Sequence, residues 1–497
     1  MKILRFLSLF VFVGNLLLIQ VCQATALDSD RSFLNLQNEQ DKTFGSGFNE
    51  LLRDRNRQRL EKNTEYDASG SDKPQISLIA TPFYSRTFSS GKIGQYFGVA
   101  ASNAVATKNT PTAGASEVDI KLMLRDKATA APLVIVAANE GVITLEPRQI
   151  SFGGHLAATV KMCQGLEGFS LAVNTAVVRN KTVLEKSVTG DVLNTNASSS
   201  VSDYLAGIGS SPFQVALAKA KIDGNARSAT RLSDVNVQLR YAINEEETQA
   251  LSVFADFLIP TGTEPTGEFL FEPVVGGRSW FGGAGVCGRA QLYEGDAQTP
   301  RMWLVADALW RYGLKSNQIR VPDIKGTTWG KYQLTVQAGQ LAIAANTSQF
   351  IPAANIVTQE IEVRPRGTFK FNSKVCMAYE WANAEIGYQF CYKQEEANTL
   401  KTDWADNAVY RILDAYVQTS TVTTNIATGQ VVAINKDNFE LNHPSQSFHS
   451  LFATFGMTDD KESKSWALAA GFAVNLSSQA RVAPRSWDGF VKLGITF

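Results

Sequence analysis

The sequence predicts an all-β protein: a transmembrane antiparallel up-and-down β-barrel of about twelve strands, with fourteen as the alternative, and long extracellular loops. Three observations carry this. Segments of about ten residues, the length a tilted membrane strand needs, alternate apolar and polar side chains over most of the chain. Short turns alternate with longer connections all the way along, as in a barrel with one plain rim and one elaborated rim. Beyond an N-terminal leader, no run of about 18 unbroken apolar residues occurs, and without membrane helices only a closed barrel satisfies every backbone group in lipid.

The leader comprises residues 1–26. Lys2 and Arg5 supply its positive charge, Phe6 to Ile19 its short apolar stretch, and Ala24-Thr25-Ala26 a small-residue cleavage site. Ile19-Gln20-Val21 lacks the small residues that precede a lipidated cysteine, so Cys22 is not read as an anchor. Residues 27–74 are polar and charged, and the stretch Phe48 to Lys62 has too thin an apolar face for a folded domain. They are expected to form a periplasmic tether, and 75–497 the barrel.

Composition narrows the function classes. Lysine plus arginine equals aspartate plus glutamate at 47 each, so net charge implies no nucleic-acid partner. Charged residues make up 19% of the 497-residue chain and hydrophobic ones 44%, enough to coat a large barrel. Five cysteines, with Cys22 in the leader, are too few for a disulfide-stapled scaffold.

Strands are expected near 76–88, 150–163, 169–179, 232–243, 249–260, 279–293, 301–314, 367–381, 385–397, 447–458, 464–477 and 486–497. Met302, Leu304, Ala306, Ala308, Trp310 and Tyr312 alternating with Asp307 and Arg311 is one of the cleanest stretches. Short turns centre on Gly165-Leu166, Glu245-Glu246, Asp296-Ala297, Asn383-Ala384 and Asp460-Lys461. Alternation at Tyr332 to Ala338 and at Ile361 with Val363 opens the fourteen-strand alternative, and Val118 to Leu124 raises the same question. All three are read as sheet extensions above the membrane.

The last strand places Val491, Leu493, Ile495 and Phe497 on one face and Lys492, Gly494 and Thr496 on the other. Ending on a terminal Phe, it resembles the final strand of Gram-negative outer-membrane β-barrels. The resemblance implies that Val491, Leu493, Ile495 and Phe497 form the signal read by the barrel-assembly machinery. It also implies outer-membrane lipid around the barrel, both termini in the periplasm, and transport. Pro260-Thr261-Gly262 resembles a turn of outer-membrane transporters for hydrophobic and aromatic compounds, yet it is also plain turn chemistry and names no substrate.

Strand parity assigns the inner face. It carries Lys161, Arg240, Asp256, Arg289, Asp307, Arg311, Lys370, Lys374, Glu380, Lys393, Glu395 and Lys492. Unpaired charge is costly in a dry core, so a wet lumen passing small hydrophilic solutes is the first expectation. The same charges paired into a solid plug, in a barrel that displays its loops, is the alternative. Twelve strands lie between the filled small barrels and the open large ones, which suggests a narrow pore. In the hairpin 367–397, a turn at Asn383-Ala384 sets Tyr379 opposite Tyr388 and brings Cys376 opposite Cys391, close enough for a disulfide in an oxidising compartment. Cys163 and Cys287 are expected free. Ser211-Pro212 before Phe213 to Ile222 and then Asp223-Gly224 reads as a capped helix in a long loop.

An outer-membrane enzyme is the least favoured alternative, no cofactor is expected, and His443 with His449, lacking a nearby cysteine or dense carboxylate set, is weak ground for a metal. The three histidines, His155, His443 and His449, show no nucleophile-base-acid spacing, and no phosphate loop or zinc helix motif occurs. Deleting Phe497 is expected to impair insertion and leave protease-sensitive periplasmic material. Normal membrane levels of the deletion would show the ending to be incidental.

Overall fold

The computed structural model describes residues 75–88, 141–162, 168–189, 200–209, 214–246, 248–294, 300–324, 329–337, 350–379, 381–401, 445–461, 464–477 and 485–496, with short pieces between 104 and 123, at 166 and between 410 and 443. The leader, the tether, Cys163, Glu380 and Phe497 lie outside the described residues.

Twelve strands close on themselves. They are β1 (Gln75–Thr87), β2 (Gly141–Lys161), β3 (Phe169–Thr189), β4 (Val235–Glu245), β5 (Gln249–Ile259), β6 (Phe281–Tyr293), β7 (Arg301–Gly313), β8 (Gly367–Tyr379), β9 (Ala382–Lys393), β10 (Gln446–Lys461), β11 (Lys464–Ser477) and β12 (Ser486–Thr496). Each pairs antiparallel with its sequence neighbours, and β1 pairs with both β2 and β12, so the sheet has no edge within the barrel wall. Every strand expected from alternation is present. The stretches behind the fourteen-strand alternative lie outside the wall: Leu334–Gln337 pairs with Tyr410–Leu413, and Gln359–Val363 pairs with Ser316–Arg320.

The pleat explains what each strand exposes. Leu78, Leu156, Val173, Leu239, Val253, Phe257, Val286, Ile386, Leu451, Phe455, Phe472, Leu493 and Ile495 stand on the outer surface and are exposed despite being apolar. They form a belt around the barrel, the arrangement lipid stabilises and water penalises. Aromatic residues stand toward its margins, with Trp310, Tyr312, Tyr84 and Trp487 near one rim and Tyr241, Tyr293, Tyr379 and Trp381 near the other.

Inside, glycines let neighbouring side chains lie flat on the wall. The Phe254 ring covers Gly285 on the next strand, where a Cβ would stand 2.3 Å from the ring. Phe452 covers Gly387 and Phe490 covers Gly471 in the same way. The aromatic restores the packing that a strand glycine forfeits.

The two rims differ. At one, strands are joined by 246–248, by Glu380-Trp381, by 462–463 and by the residues following Lys161, and both ends of the barrel segment lie there, since Ser77 pairs with Thr496 and with Thr159. At the other, β2 and β3 run nine or so residues beyond the β1 pairing, and the connecting segments build a second hydrophobic core. That cap contains Trp329 and Tyr332, helix α1 (Val201–Ala206) with Tyr204 and Leu205, and helix α2 (Ala353–Val357) with Ala353 and Val357. Tyr204 donates to the Tyr332 carbonyl at 2.6 Å, and Tyr332 donates to the Ala220 carbonyl at 2.8 Å.

Three expectations are corrected. The β8–β9 turn is Glu380-Trp381, not Asn383-Ala384, so Tyr379 faces Ala382 and Cys376 faces Glu385. Cys391 faces Lys370, six residues away along the strand, or roughly 20 Å at strand rise. Cys376 and Cys391 therefore form no disulfide, and neither does Cys287. The expected register would have opposed Lys374 to Lys393; the observed one opposes Lys374 to Gly387 and gives it Glu385 as a diagonal partner. Likewise Lys461 pairs with Lys464, which centres the β10–β11 connection two residues past the expected Asp460-Lys461. Finally, the described part of Phe213 to Ile222 is not helical. Its Leu217, Ala220 and Ile222 are buried in the cap, and bridges to Phe350 and Phe269 replace helical hydrogen bonds. The helix of this connection is α1, capped by Ser200, whose side chain accepts from the Asp203 amide.

A closed barrel of this kind resists detergent until heated. Unboiled and boiled samples of the full chain are expected to migrate differently on a detergent gel, with a β-type circular-dichroism spectrum before boiling. A helical spectrum, or identical migration, contradicts the fold.

Candidate functional site

The barrel interior gathers charged side chains that packing alone does not require. Pairing register puts Lys161, Arg240, Asp256, Arg289, Asp307, Arg311, Lys370, Lys374, Lys393 and Lys492 on inner-face positions. Glu395 is elsewhere: β9 ends at Lys393, Gln394 binds the Gly367 amide with its side chain, and Glu395 is exposed beyond the strand.

Two charge groups organise the interior. In the first, Glu385 on β9 holds Lys374 of β8 and Lys492 of β12, each at 3.0 Å and on separate carboxylate oxygens. Thr454 of β10 donates to the same carboxylate at 3.2 Å. Lys492 reaches Glu385 past two intervening strands because Ala469 and Gly456 stand between them. The three charged side chains are 2% exposed or less. Glu385 belongs to the expected polar face, but its role as hub was not legible, because two of its partners come from strands distant in sequence.

In the second group, Arg311 of β7 spans β6 to reach Asp256 of β5, with Nη2 3.0 Å from Oδ1. The rung runs Asp256, Gly283, Arg311, and a side chain on Gly283 would begin 2.9 Å from the Arg311 Cγ. Asn236 and Gln238 of β4 donate to the same carboxylate at 2.9 and 2.8 Å. Asp307 accepts from Asn372 at 3.2 Å, with Arg240, Lys370 and Lys374 within electrostatic reach. Toward the short-turn rim, Lys161 pairs with Glu245 at 3.4 Å and Arg289 donates to the Glu246 carbonyl at 3.2 Å.

Side chains fill most of the bore. On β5 to β12 the inner positions are largely buried, as are those of β1 from Ile79 onward. The exception is a sector on β2 to β4 near the short-turn rim, where His155, Lys161, Asn174, Gln238 and Arg240 are half-buried.

The segment 260–280 between β5 and β6 turns inward. Val275 joins a buried cluster with Phe83, Val178, Phe452, Ala473 and Phe490, contributed by five barrel strands. Asn180 donates to the Val274 carbonyl and Thr182 to that of Phe271, at 2.5 and 3.1 Å. Asp234, just before β4 and fully buried, fastens both ends of the segment by accepting from the Gly277 amide at 2.6 Å and the Thr261 amide at 3.3 Å. Two glycines are obligatory here. A Cβ on Gly262 would stand 2.0 Å from the Val275 carbonyl oxygen, and Gly276 takes φ +81 against Asp234. The Pro260-Thr261-Gly262 turn thus opens an inward segment, which sequence alone gave no means of recognising.

Above the bore, the cap holds its own ion pairs. Lys331 and Asp323 are 3.1 Å apart and fully buried, and Arg320 pairs with Glu396 at 2.8 Å. Burial pushes the Glu396 carboxyl up, but Arg320, His443 and Asn398 outweigh it and hold it below the usual carboxylate range. Burial raises the Tyr204 and Tyr332 hydroxyls well above their ordinary value, so both remain neutral donors at physiological pH.

A closed antiparallel wall, an apolar outer belt and a polar inner face are the build of a membrane-spanning barrel. The chain folds as a transmembrane β-barrel. No protein-family model matches the sequence, and no curated protein is similar to it. Among solved structures, an outer-membrane channel from Pseudomonas putida F1 is similar over 87% of this chain and 99% of that one, at 9% identity and a TM-score of 0.37. The translocator domain of the autotransporter NalP from Neisseria meningitidis overlaps 92% of this chain and 99% of its own, at 7% identity and a TM-score of 0.30. The Ralstonia pickettii toluene transporter TbuX overlaps 86% and 89%, at 9% identity and a TM-score of 0.28. Likeness of this degree extends to no substrate.

The Glu385 hub makes a stability prediction. Glu385→Gln strands two buried lysines without their carboxylate and is expected to lower unfolding stability by about 3–5 kcal/mol, read from the urea midpoint of the folded barrel in detergent. An unchanged midpoint would show that water already reaches both lysines.

Proposed function

We propose that this barrel is an outer-membrane channel for small hydrophilic solutes, shut in the conformation described here. The observation that carries the reading is the pairing of buried charge across the bore, Lys374–Glu385–Lys492 and Asp256–Arg311. A barrel meant only to be solid gains little from such pairs, since apolar side chains of similar volume fill a core as stably or more so. A bore that must wet when it opens needs polar walls. The half-buried sector at Lys161, Asn174, Gln238 and Arg240 is the portion of the wall already accessible from the short-turn rim. The excess of lysine and arginine on the inner face favours anions over cations. In the proposed orientation the short-turn rim and both termini are periplasmic, and the cap is extracellular. Outer-membrane lipid and the barrel-assembly machinery are its other proposed partners.

The cap's continuous hydrophobic core favours a second reading: a plugged barrel that displays its loops as a folded surface. Planar-bilayer recording separates the two. Wild-type protein is expected to conduct rarely, and Asp234→Ala, which unfastens the 260–280 segment, to raise the open fraction at least tenfold. Lys370→Glu with Lys374→Glu in that background is expected to shift selectivity toward cations. Silence from both Asp234→Ala and wild type, with folded protein in the bilayer, supports display instead.

A further inference from the structure

The outer surface of the barrel is not uniform around its circumference. At the loop-bearing rim, β4 to β11 end their outward faces on apolar, aromatic or neutral side chains, such as Phe257, Trp310, Tyr312 and Leu476. The sector formed by β12, β1, β2 and β3 ends on cations. Arg86 on β1 and Lys181 on β3 are both paired with Ile150 of β2, which places them on one rung with a single strand between. Their Cα atoms are therefore about 10 Å apart. Arg179 is two residues below Lys181 on the same face, and Arg148 two residues above Ile150. Arg485, whose carbonyl accepts from the Phe88 amide, precedes β12 on the same outward parity as Trp487.

Charge on this sector is poorly neutralised. Arg148 is engaged by Glu146 and Glu185 at 3.1 and 3.2 Å. Among the described residues, no carboxylate pairs with Arg86, Arg179, Lys181 or Arg485. Tyr84 and Phe152 stand on the Arg179 rung, and Trp487 stands on the rung of Arg86 and Lys181. The Tyr84 and Trp487 rings are 5.4 Å apart, and the Arg179 guanidinium stands 5.7 Å from the Phe152 ring. Below those, Pro82, Gly154 and Leu156 continue the apolar belt.

An apolar belt topped by a band of aromatic rings and cations side by side matches a lipid's chains and, above them, its interfacial region with its phosphate. Arginine and lysine at this height keep their stems on the belt and their charge in the headgroup layer. Arginine also binds phosphate with two parallel hydrogen bonds. We propose that the β12–β1–β2–β3 sector is a docking site for a phosphorylated lipid headgroup of the leaflet at the loop-bearing rim, held by Arg86, Arg179 and Lys181. The site rests on the proposed outer-membrane orientation with the cap outward, and not on conductance or on which solute passes. Its position matters for assembly, because this sector contains the β1–β12 seam. Pro82 lacks an amide donor within that seam, and no pairing is made there between Ala80–Leu493 and Phe83–Phe490. A lipid bridging β1 and β3 clamps one flank of a seam whose ladder is interrupted at Pro82.

Native mass spectrometry of the full chain, released from neutral detergent micelles, tests the site. The probe is diphosphoryl lipid A, compared with its dephosphorylated form. Wild type is expected to retain the phosphorylated lipid at least tenfold better. The triple variant Arg86→Gln, Arg179→Gln, Lys181→Gln is expected to lose that preference, the loss of three headgroup-level cations being worth on the order of a hundredfold. A control triple on the cap surface, Lys315→Gln, Arg364→Gln, Lys401→Gln, is expected to keep it. Heat-modifiable migration establishes that each variant is folded, and Lys181→Gln alone, expected to weaken retention severalfold, serves if the triple does not fold. Equal retention by wild type and a folded sector variant overturns the proposal. So does displacement of the lipid by millimolar inorganic phosphate, which would make the sector a free-anion site.

Discussion

Within lipid, every backbone amide and carbonyl must find its partner in the chain, and that requirement governs this protein more than any single side chain does. It forces the sheet to close, so β1 must pair with β12. Closure with antiparallel neighbours makes the strand number even, which returns both ends of the barrel segment to one rim. Closure also fixes an inside and an outside, and the two-residue period of the strand then sorts every side chain between them. Belt, bore and rims follow from that one condition.

How the bore is filled follows next. Long charged side chains cannot stand radially in a twelve-stranded barrel without meeting one another, so they lie along the wall. Lying along the wall requires room on the neighbouring strand. Gly283 supplies it for Arg311, Gly285 for Phe254, and Ala469 with Gly456 for Lys492. Glycines that weaken isolated strands are here the sockets into which arginine and phenylalanine fit. Buried charges tie strands that are not neighbours, β9 to β12 and β5 to β7, and so brace the wall across its ladders.

The barrel was legible in the sequence because parity survives error. The β8–β9 hairpin was placed with its turn three residues late, yet Lys370, Lys374, Cys376 and Glu385 stayed on the inner face, since the shift changed the pairing sum by an even number. Pairing partners have no such protection. Apolar residues match apolar residues in several registers, and what selects among them is the Lys374–Glu385 contact, visible only once both strands are built. The cap was illegible for a different reason. Leu217, Ala220 and Ile222 have helical spacing and helical caps, but their burial partners come from segments as distant as Trp329, Phe350 and Ile434. Tertiary packing overrode the local preference, and a short helix formed upstream instead, at α1.

The inward segment joins these two parts of the molecule. Leu270 and Phe271 belong to the core of the cap, whereas Val275 belongs to the cluster within the bore, and only Glu272, Pro273 and Val274 separate them. Pro273 fixes its own φ, and the Val274 carbonyl is held by Asn180, so little slack remains between the two clusters. Glu272 tightens the upstream side by accepting from the amides of Thr266, Glu268 and Phe269. Displacing Val275 from the bore therefore pulls on Phe271 in the cap, and unpacking the cap loosens Val275. Cap and bore segment behave as one mechanical unit, fastened to the barrel at Asp234. A ligand that binds the cap and a solute that enters the bore would act on the same fastening from opposite ends.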